Sequence, residues 1–153
     1  MLTKKTKYAL QALLSLAKDY GRGPILISEI AEQERIPKKF LELILLDLKN
    51  SGILQSKKGK GGGYFLGRPP ELITFGQVIR LLDGPLAPLP CVSQMAYRKC
   101  EECKDERTCG IRVVMKEVRD ATALILDTTT LADALHRVEV LAKDDQAALM
   151  YFI

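Results

Sequence analysis

The sequence predicts a mainly α fold with a small β-hairpin: a winged helix-turn-helix followed by a long C-terminal helix. Three observations predict it. Between residues 4 and 52, three segments with helical spacing of apolar residues are separated by helix breakers. The glycine-rich, basic stretch "SKKGKGGGYF" then joins two short extended runs. Beyond it, an apolar seam with heptad spacing runs from Ile111 to Ile125.

The first helix is expected over residues 4 to 20. Leu10, Leu13, Leu14, Ala17 and Tyr20 share a stripe, and Gly21 and Gly23 end it. "PILISEIAEQERI" starts extended, and Ser28 is then placed to cap a short helix with Glu29 in its first turn. Pro37 suits the first turn of the next helix, where its missing N–H would be unpaired anyway. Leu41, Ile44, Leu45 and Leu48 form that helix's buried stripe, and Gly52 stops it. Helix, short helix, tight connection, helix is the helix-turn-helix order.

Residues 53 to 56 read as extended, Gly59, Gly61, Gly62 and Gly63 as a turn, and Tyr64, Phe65 and Leu66 as a returning strand. A hairpin in this place is a wing. Thr74 and Gln77 have capping-box spacing, and Gly84-Pro85 closes a helix over residues 75 to 83. A long helix follows from about Ile111 to Leu126. Its seam residues Ile111, Val114, Val118, Ala121 and Ile125 are spaced three, four, three, four. The winged-helix unit has its own core, so a partner chain is expected to cover the seam; packing on the same domain is the alternative. Thr130 and Asp133 are placed to cap a final short helix, and residues 137 to 153 read as a tail.

Composition narrows the function. With 47% hydrophobic residues the chain can bury a core, so disorder is excluded. It has no run of eighteen apolar residues to span a membrane. The lysines and apolar run at the N-terminus faintly suggest a signal peptide. But Lys18 and Asp19 follow at once without a cleavage site, so an amphipathic helix and a cytoplasmic location are expected. No serine, histidine and carboxylate arrangement suggests catalysis, and His136, the only histidine, has no assigned role.

Charge is divided unevenly. Residues 1 to 68 hold thirteen Lys and Arg against six Asp and Glu, whereas residues 69 to 153 hold ten against thirteen. The positive half is the one expected to meet a polyanion. Double-stranded DNA needs a helix that fits the major groove and cations aimed at phosphates. Lys38, Lys39 and Phe40 begin the second helix of the motif, where base edges are reached. Glu42 stands one turn on, able to accept from a cytosine amino group or to pair with Lys38 or Lys39. Lys57, Lys58 and Lys60, with Gly59 and Gly61 between and beside them, bring charge and a closely approaching backbone at the wing tip. Lys4 and Lys5, with Lys7, add phosphate contacts from the first helix, and Ser28 adds one at the start of the second. "GKGGGY" is not a nucleotide loop, because the G-x-x-x-x-G-K-[ST] spacing is missing.

Four stretches carry a family resemblance: "KYALQALLSLA", "ISEIAEQERIPKKFLELILLDLKNSGIL", "GKGGGYFLGRPPELITFGQVIRLLDGPLAP", and the cysteine loop into "TTTLADAL". Together they cover most of residues 1 to 136 and resemble the winged-helix bacterial transcription regulators of the IscR, NsrR and CymR kind. The resemblance implies a homodimer on a pseudo-palindromic operator. It implies a DNA-binding unit over residues 1–84 and a cluster-binding loop over 85–109. A dimerisation helix with a short swapped helix over 110–136 and the tail over 137–153 complete the chain. In several relatives three cysteines hold an iron–sulfur cluster whose state changes DNA affinity; other members lack it.

All four cysteines lie between residues 91 and 109, with eight, two and five residues between successive ones. Thiolates are iron–sulfur ligands, and an irregular loop can wrap a cluster. By the resemblance, Cys91, Cys103 and Cys109 match the family's ligands and Cys100 is additional. Some relatives use a histidine three residues after the last cysteine, where this chain has Arg112. Others use an acidic residue from the partner's first helix, where this chain has Lys4, Lys5 and Lys7. Cys100 is therefore the expected fourth ligand of a 2Fe–2S or 4Fe–4S cluster, whose redox state, iron supply or reaction with nitric oxide would be sensed. Zinc is the alternative metal, since Cys100-x-x-Cys103 is a close pair, but Cys91 and Cys109 make no second one. A direct thiol switch is another. Lys99, Lys104 and Arg107 favour thiolates, while Glu101, Glu102, Asp105 and Glu106 oppose them. Control by a protein partner, with incidental cysteines, is the reading from a different class.

Overall fold

In a computed structural model describing residues 2–152, six helices and one hairpin follow each other in the predicted order. Helix α1 (Lys4–Lys18) is capped by Thr3, whose hydroxyl accepts the Thr6 N–H. Its buried side includes Ala9, Ala12, Leu13 and Leu16. Helix α2 (Ile27–Glu34) contributes Ile30, and α3 (Lys38–Asn50) contributes Leu41, Ile44, Leu45 and Leu48, all fully buried. The turn between them passes through Arg35 in the left-handed region, with φ of 55°. This is the helix-turn-helix, and its core forms because each stripe repeats at helical spacing.

The wing pairs β1 (Leu54–Lys57) with β2 (Gly63–Leu66), antiparallel, in the register Leu54 to Leu66 and Lys57 to Gly63. Ile25, before α2, bridges to Tyr64 through two backbone hydrogen bonds of 2.8 and 2.9 Å. Gly63 makes this approach possible. Its φ is 142°, and a Cβ there would lie 2.3 Å from the Ile25 carbonyl oxygen.

Helix α4 (Phe75–Asp83) opens on the expected Thr74–Gln77 capping box. Helix α5 (Gly110–Thr128) buries no residue fully. Helix α6 (Leu131–Tyr151) opens on a second capping box, Thr130 with Asp133. The two boxes face each other. Phe75 N–H donates to the Thr129 carbonyl at 3.0 Å, and Leu131 N–H to that of Ile73 at 2.9 Å. Beside this bridge, the Arg80 guanidinium grips the Asp127 carboxylate with two hydrogen bonds, tying α4 to the end of α5.

Four expectations change. Ser28 does not cap α2. The N-cap is Leu26, without a side-chain bond, because the Ile25–Tyr64 bridge sets where the extended chain ends. Tyr20 lies past α1 and is exposed. The last helix is not short: residues 137 to 151 continue α6, since "VEVLAKDDQAALMY" contains no glycine or proline to stop it. Nor is the winged-helix core complete within residues 1–84, because Leu131 is fully buried in it. Helix α6 thus starts on the core of the winged-helix unit.

Candidate nucleic-acid interface and cysteine pocket

The outward side of α3 and the wing tip each carry exposed cations. Lys38, Lys39, Glu42 and Lys49 on α3 and Lys57, Lys58, Gly59, Lys60 and Gly61 on the wing are all exposed. Among the described residues, none of these lysines is in an ion pair, and Glu42 is paired with neither Lys38 nor Lys39. Lys4 is exposed at the start of α1, and Ser28 is exposed in the first turn of α2. Two residues expected at DNA are otherwise engaged. Lys5 Nζ lies 2.6 Å from Asp47 and fastens α1 to α3. Phe40 is half-buried in an edge contact with Tyr8, ring centroids 5.6 Å apart, and so packs α3 onto α1.

The cysteine loop lies against the N-terminal half of α5. Cys91 is in a 3-10 turn, Pro90–Val92, and is buried; Cys100 is exposed, and Cys103 and Cys109 are half-buried. All four line one cavity of about 370 Å³, together with Leu89, Glu102, Glu106, Ile111 and Arg112. Cys109 is the N-cap of α5. The Cys103 N–H donates to the Cys100 carbonyl at 3.3 Å, which closes the Cys-x-x-Cys turn. The Cys100 thiol donates to Glu102 at 3.2 Å, and this hydrogen bond raises its pKa. Burial and the neighbouring Cys109 and Cys100 raise that of Cys103. Both shifts reduce thiolate at neutral pH, the form that oxidation and metal ligation alike require.

The donor set is four thiols, the ligand type of iron–sulfur clusters. Among the described residues, no three His, Cys, Asp or Glu side chains converge closely enough for a single metal ion. Four thiols lining one cavity suit either an iron–sulfur cluster or zinc as ligands.

Sequence reasoning missed how the loop is fastened. Arg112 Nε donates to the Cys91 carbonyl at 3.3 Å, and Arg119 Nη1 donates to that of Val92 at 2.6 Å. The two arginines are seven apart on α5, so they stand two turns apart on one side. That spacing was the available signal. The opposite surface of α5 is apolar and open: Val114, Val118 and Ile125 are 51%, 44% and 60% exposed and Ala121 is exposed too, while Ile111, 68% exposed, stands between this surface and the cysteine cavity. Among the described residues, no helix is long and apolar enough to cross a membrane.

Comparison with known proteins completes the picture. The family model for Rrf2, iron-dependent transcriptional regulator, matches residues 2–137. The rrf2-like HTH-type transcriptional regulator of Rhodobacter capsulatus is 45% identical over 138 residues, covering 88% of this chain and 92% of that protein. CymR of Bacillus subtilis is 33% identical over 152 residues, 99% of both chains, and its solved structure superposes with a TM-score of 0.73 over 88% and 95%. The structure of T. potens IscR gives 0.72 at 28% identity, covering 90% of this chain and 88% of that one. These relatives are regulators of transcription rather than enzymes. With its winged helix-turn-helix matched along nearly its whole length, the chain belongs to the Rrf2 family of transcriptional regulators.

Proposed function

We propose that the chain acts in the cytoplasm as a homodimer on a pseudo-palindromic DNA operator, and that Cys91, Cys100, Cys103 and Cys109 hold an iron–sulfur cluster. The observation that carries this reading is the gathering of the chain's entire thiol complement round one cavity at the start of α5. The open seam of Ile111, Val114, Val118, Ala121 and Ile125 supports the homodimer, because a soluble chain seldom leaves so much apolar surface uncovered. The unpaired lysines of α3 and the wing support the duplex, with Lys4 and Ser28 at its margin.

When bound, an iron–sulfur cluster supplies a redox couple and a target for oxygen, nitric oxide and iron shortage. The chain's own part is transmission. Arg112 and Arg119 fasten the loop carbonyls to α5, and Arg80 with Asp127 fastens α5 to α4. Thr3 at the head of α1 donates to Asp83 at the end of α4. Through α1 the chain of contacts reaches α3 at the Lys5–Asp47 pair. A coupling of about 1–3 kcal/mol along such a path suffices for regulation.

Anaerobic purification, with iron, sulfide and zinc measured alongside the absorption spectrum, tests the proposal. Coloured protein containing iron and sulfide is expected, and Cys100→Ala should change or abolish the spectrum. A colourless, zinc-loaded protein would overturn the cluster. An unchanged Cys100→Ala spectrum would remove Cys100 from the ligand set.

A second reading keeps the dimer and the DNA without the cluster, with control by a protein partner, thiol oxidation or zinc. The end-to-end match to CymR, described as the global cysteine regulator of B. subtilis, favours it. Iron-free protein that still binds its operator tightly is the result this reading predicts.

A further inference from the structure

The outward face of α3 carries two leucines that the fold does not use. Leu41, Ile44, Leu45 and Leu48 point into the core, while Leu43 and Leu46 are 61% and 47% exposed. At 3.6 residues per turn, Leu43 and Leu46 share the middle of the exposed strip with Lys39 and Asn50; Lys38, Glu42 and Lys49 run along one edge, and Asp47, paired with Lys5, along the other. A helix face meant only for water carries polar side chains. Leucine at the centre of a cationic strip instead suits a partner that is anionic around an apolar group.

Duplex DNA is such a partner. Its phosphates line the groove, and the C5 methyl of thymine is an apolar group on the major-groove floor. Base edges are reached from the N-terminal part of a recognition helix. Leu43 is the nearer of the two leucines to that end, and it lies four residues after Lys39, directly along the same face. We infer that Leu43 is a specificity-determining residue that packs against a thymine methyl in each half-site, while Lys39 holds the adjoining phosphate or guanine edge. This rests on the DNA reading proposed above and sharpens it: the operator has a required thymine opposite the second turn of α3.

The test uses the full-length protein and a duplex that it selects from a random pool. Each thymine of the selected site is replaced in turn by deoxyuridine, which removes the methyl and keeps every hydrogen-bonding edge. Wild-type protein should lose about fourfold in affinity at one thymine per half-site, the worth of one buried methyl-sized group, about 0.8 kcal/mol. Leu43→Ala should bind the thymine and deoxyuridine duplexes equally there. Its salt dependence should match wild type, because no charge changes. Indifference of the wild type to every deoxyuridine would overturn the inference and leave the DNA reading standing. So would an undiminished loss in Leu43→Ala. A change in oligomeric state on Leu43→Ala, with the deoxyuridine response intact, would give this face to a second copy of the chain instead. A wild-type protein that enriches no sequence would sink the DNA reading and this inference together.

Discussion

Gly76 is the second residue of α4, and a methyl group fits there only if a neighbouring side chain moves. A Cβ at this position would lie 2.0 Å from Asp127 Oδ1 and 3.0 Å from Arg80 Nη1. These are the two groups of the pair that joins α4 to α5. Gly76→Ala must therefore swing the Asp127 carboxylate aside and break the pair; both groups are ends of partly exposed side chains, so they can move without straining the backbone. A partly exposed ion pair is worth at most about 1 kcal/mol. Alanine's advantage over glycine within a helix returns up to about 1 kcal/mol. The net expectation is a stability within about 1 kcal/mol of wild type. In an Asp127→Ala background the carboxylate is gone and Arg80 is free to swing away. The same substitution then becomes stabilising by up to about 1 kcal/mol. Urea denaturation of the four proteins of this cycle measures the difference between the two backgrounds, at one fixed protein concentration because association contributes to stability. An equal effect of Gly76→Ala in both backgrounds would refute the reasoning.

Other predictions concern the DNA surface, the seam and acid stability. Lys58→Ala and Lys60→Ala should each weaken DNA binding and lower its salt slope by about one for every phosphate contact removed; an unchanged slope would take the wing out of the interface. Val118→Asp, at the middle of the open seam, should shift the protein from dimer to monomer in sedimentation without unfolding it, and a dimer that persists would place association elsewhere. The Arg80 hydrogen bond holds Asp127 below its ordinary pKa, and the Thr130 backbone N–H does the same for Asp133. Their stabilising effect is complete above the ordinary carboxylate pKa and is lost as pH falls through the lowered folded-state values. Stability should therefore drop on acidification below about pH 4, and Asp127→Asn and Asp133→Asn should each flatten that drop. Curves parallel to wild type would contradict both assignments.

Helices α1, α3 and α4 were legible in the sequence because each combines a stripe at helical spacing with a breaker or a cap. The wing was legible from its glycines. The second half of α6 was not, since it has no buried stripe, and periodicity detects burial rather than helix as such. Ser28 looked like a cap because Ser-Glu before an apolar run is a start signal. A tertiary bridge between Ile25 and Tyr64 decided the boundary instead. Spacing placed Lys38, Lys39 and the wing lysines on the surface, but it did not show that Lys5 meets Asp47 or that Phe40 meets Tyr8. Those contacts join residues distant in the chain. Three of the four cysteines were placed by resemblance. That Cys100 turns to the same cavity as the other three depends on the fold of a loop with no periodicity at all.

The central claim is that the state of the cysteine pocket sets the DNA affinity of a surface built on α3 and the wing. The direct measurement is the dissociation constant for one selected duplex, at one salt concentration, with the same anaerobic preparation before and after its iron and sulfide are removed. The two forms should differ by about 5- to 150-fold, the range of ordinary allosteric coupling, and the difference should shrink in Arg119→Gln, which loosens the loop from α5. Equal affinity for the two forms would contradict the account, even if the protein is coloured and dimeric.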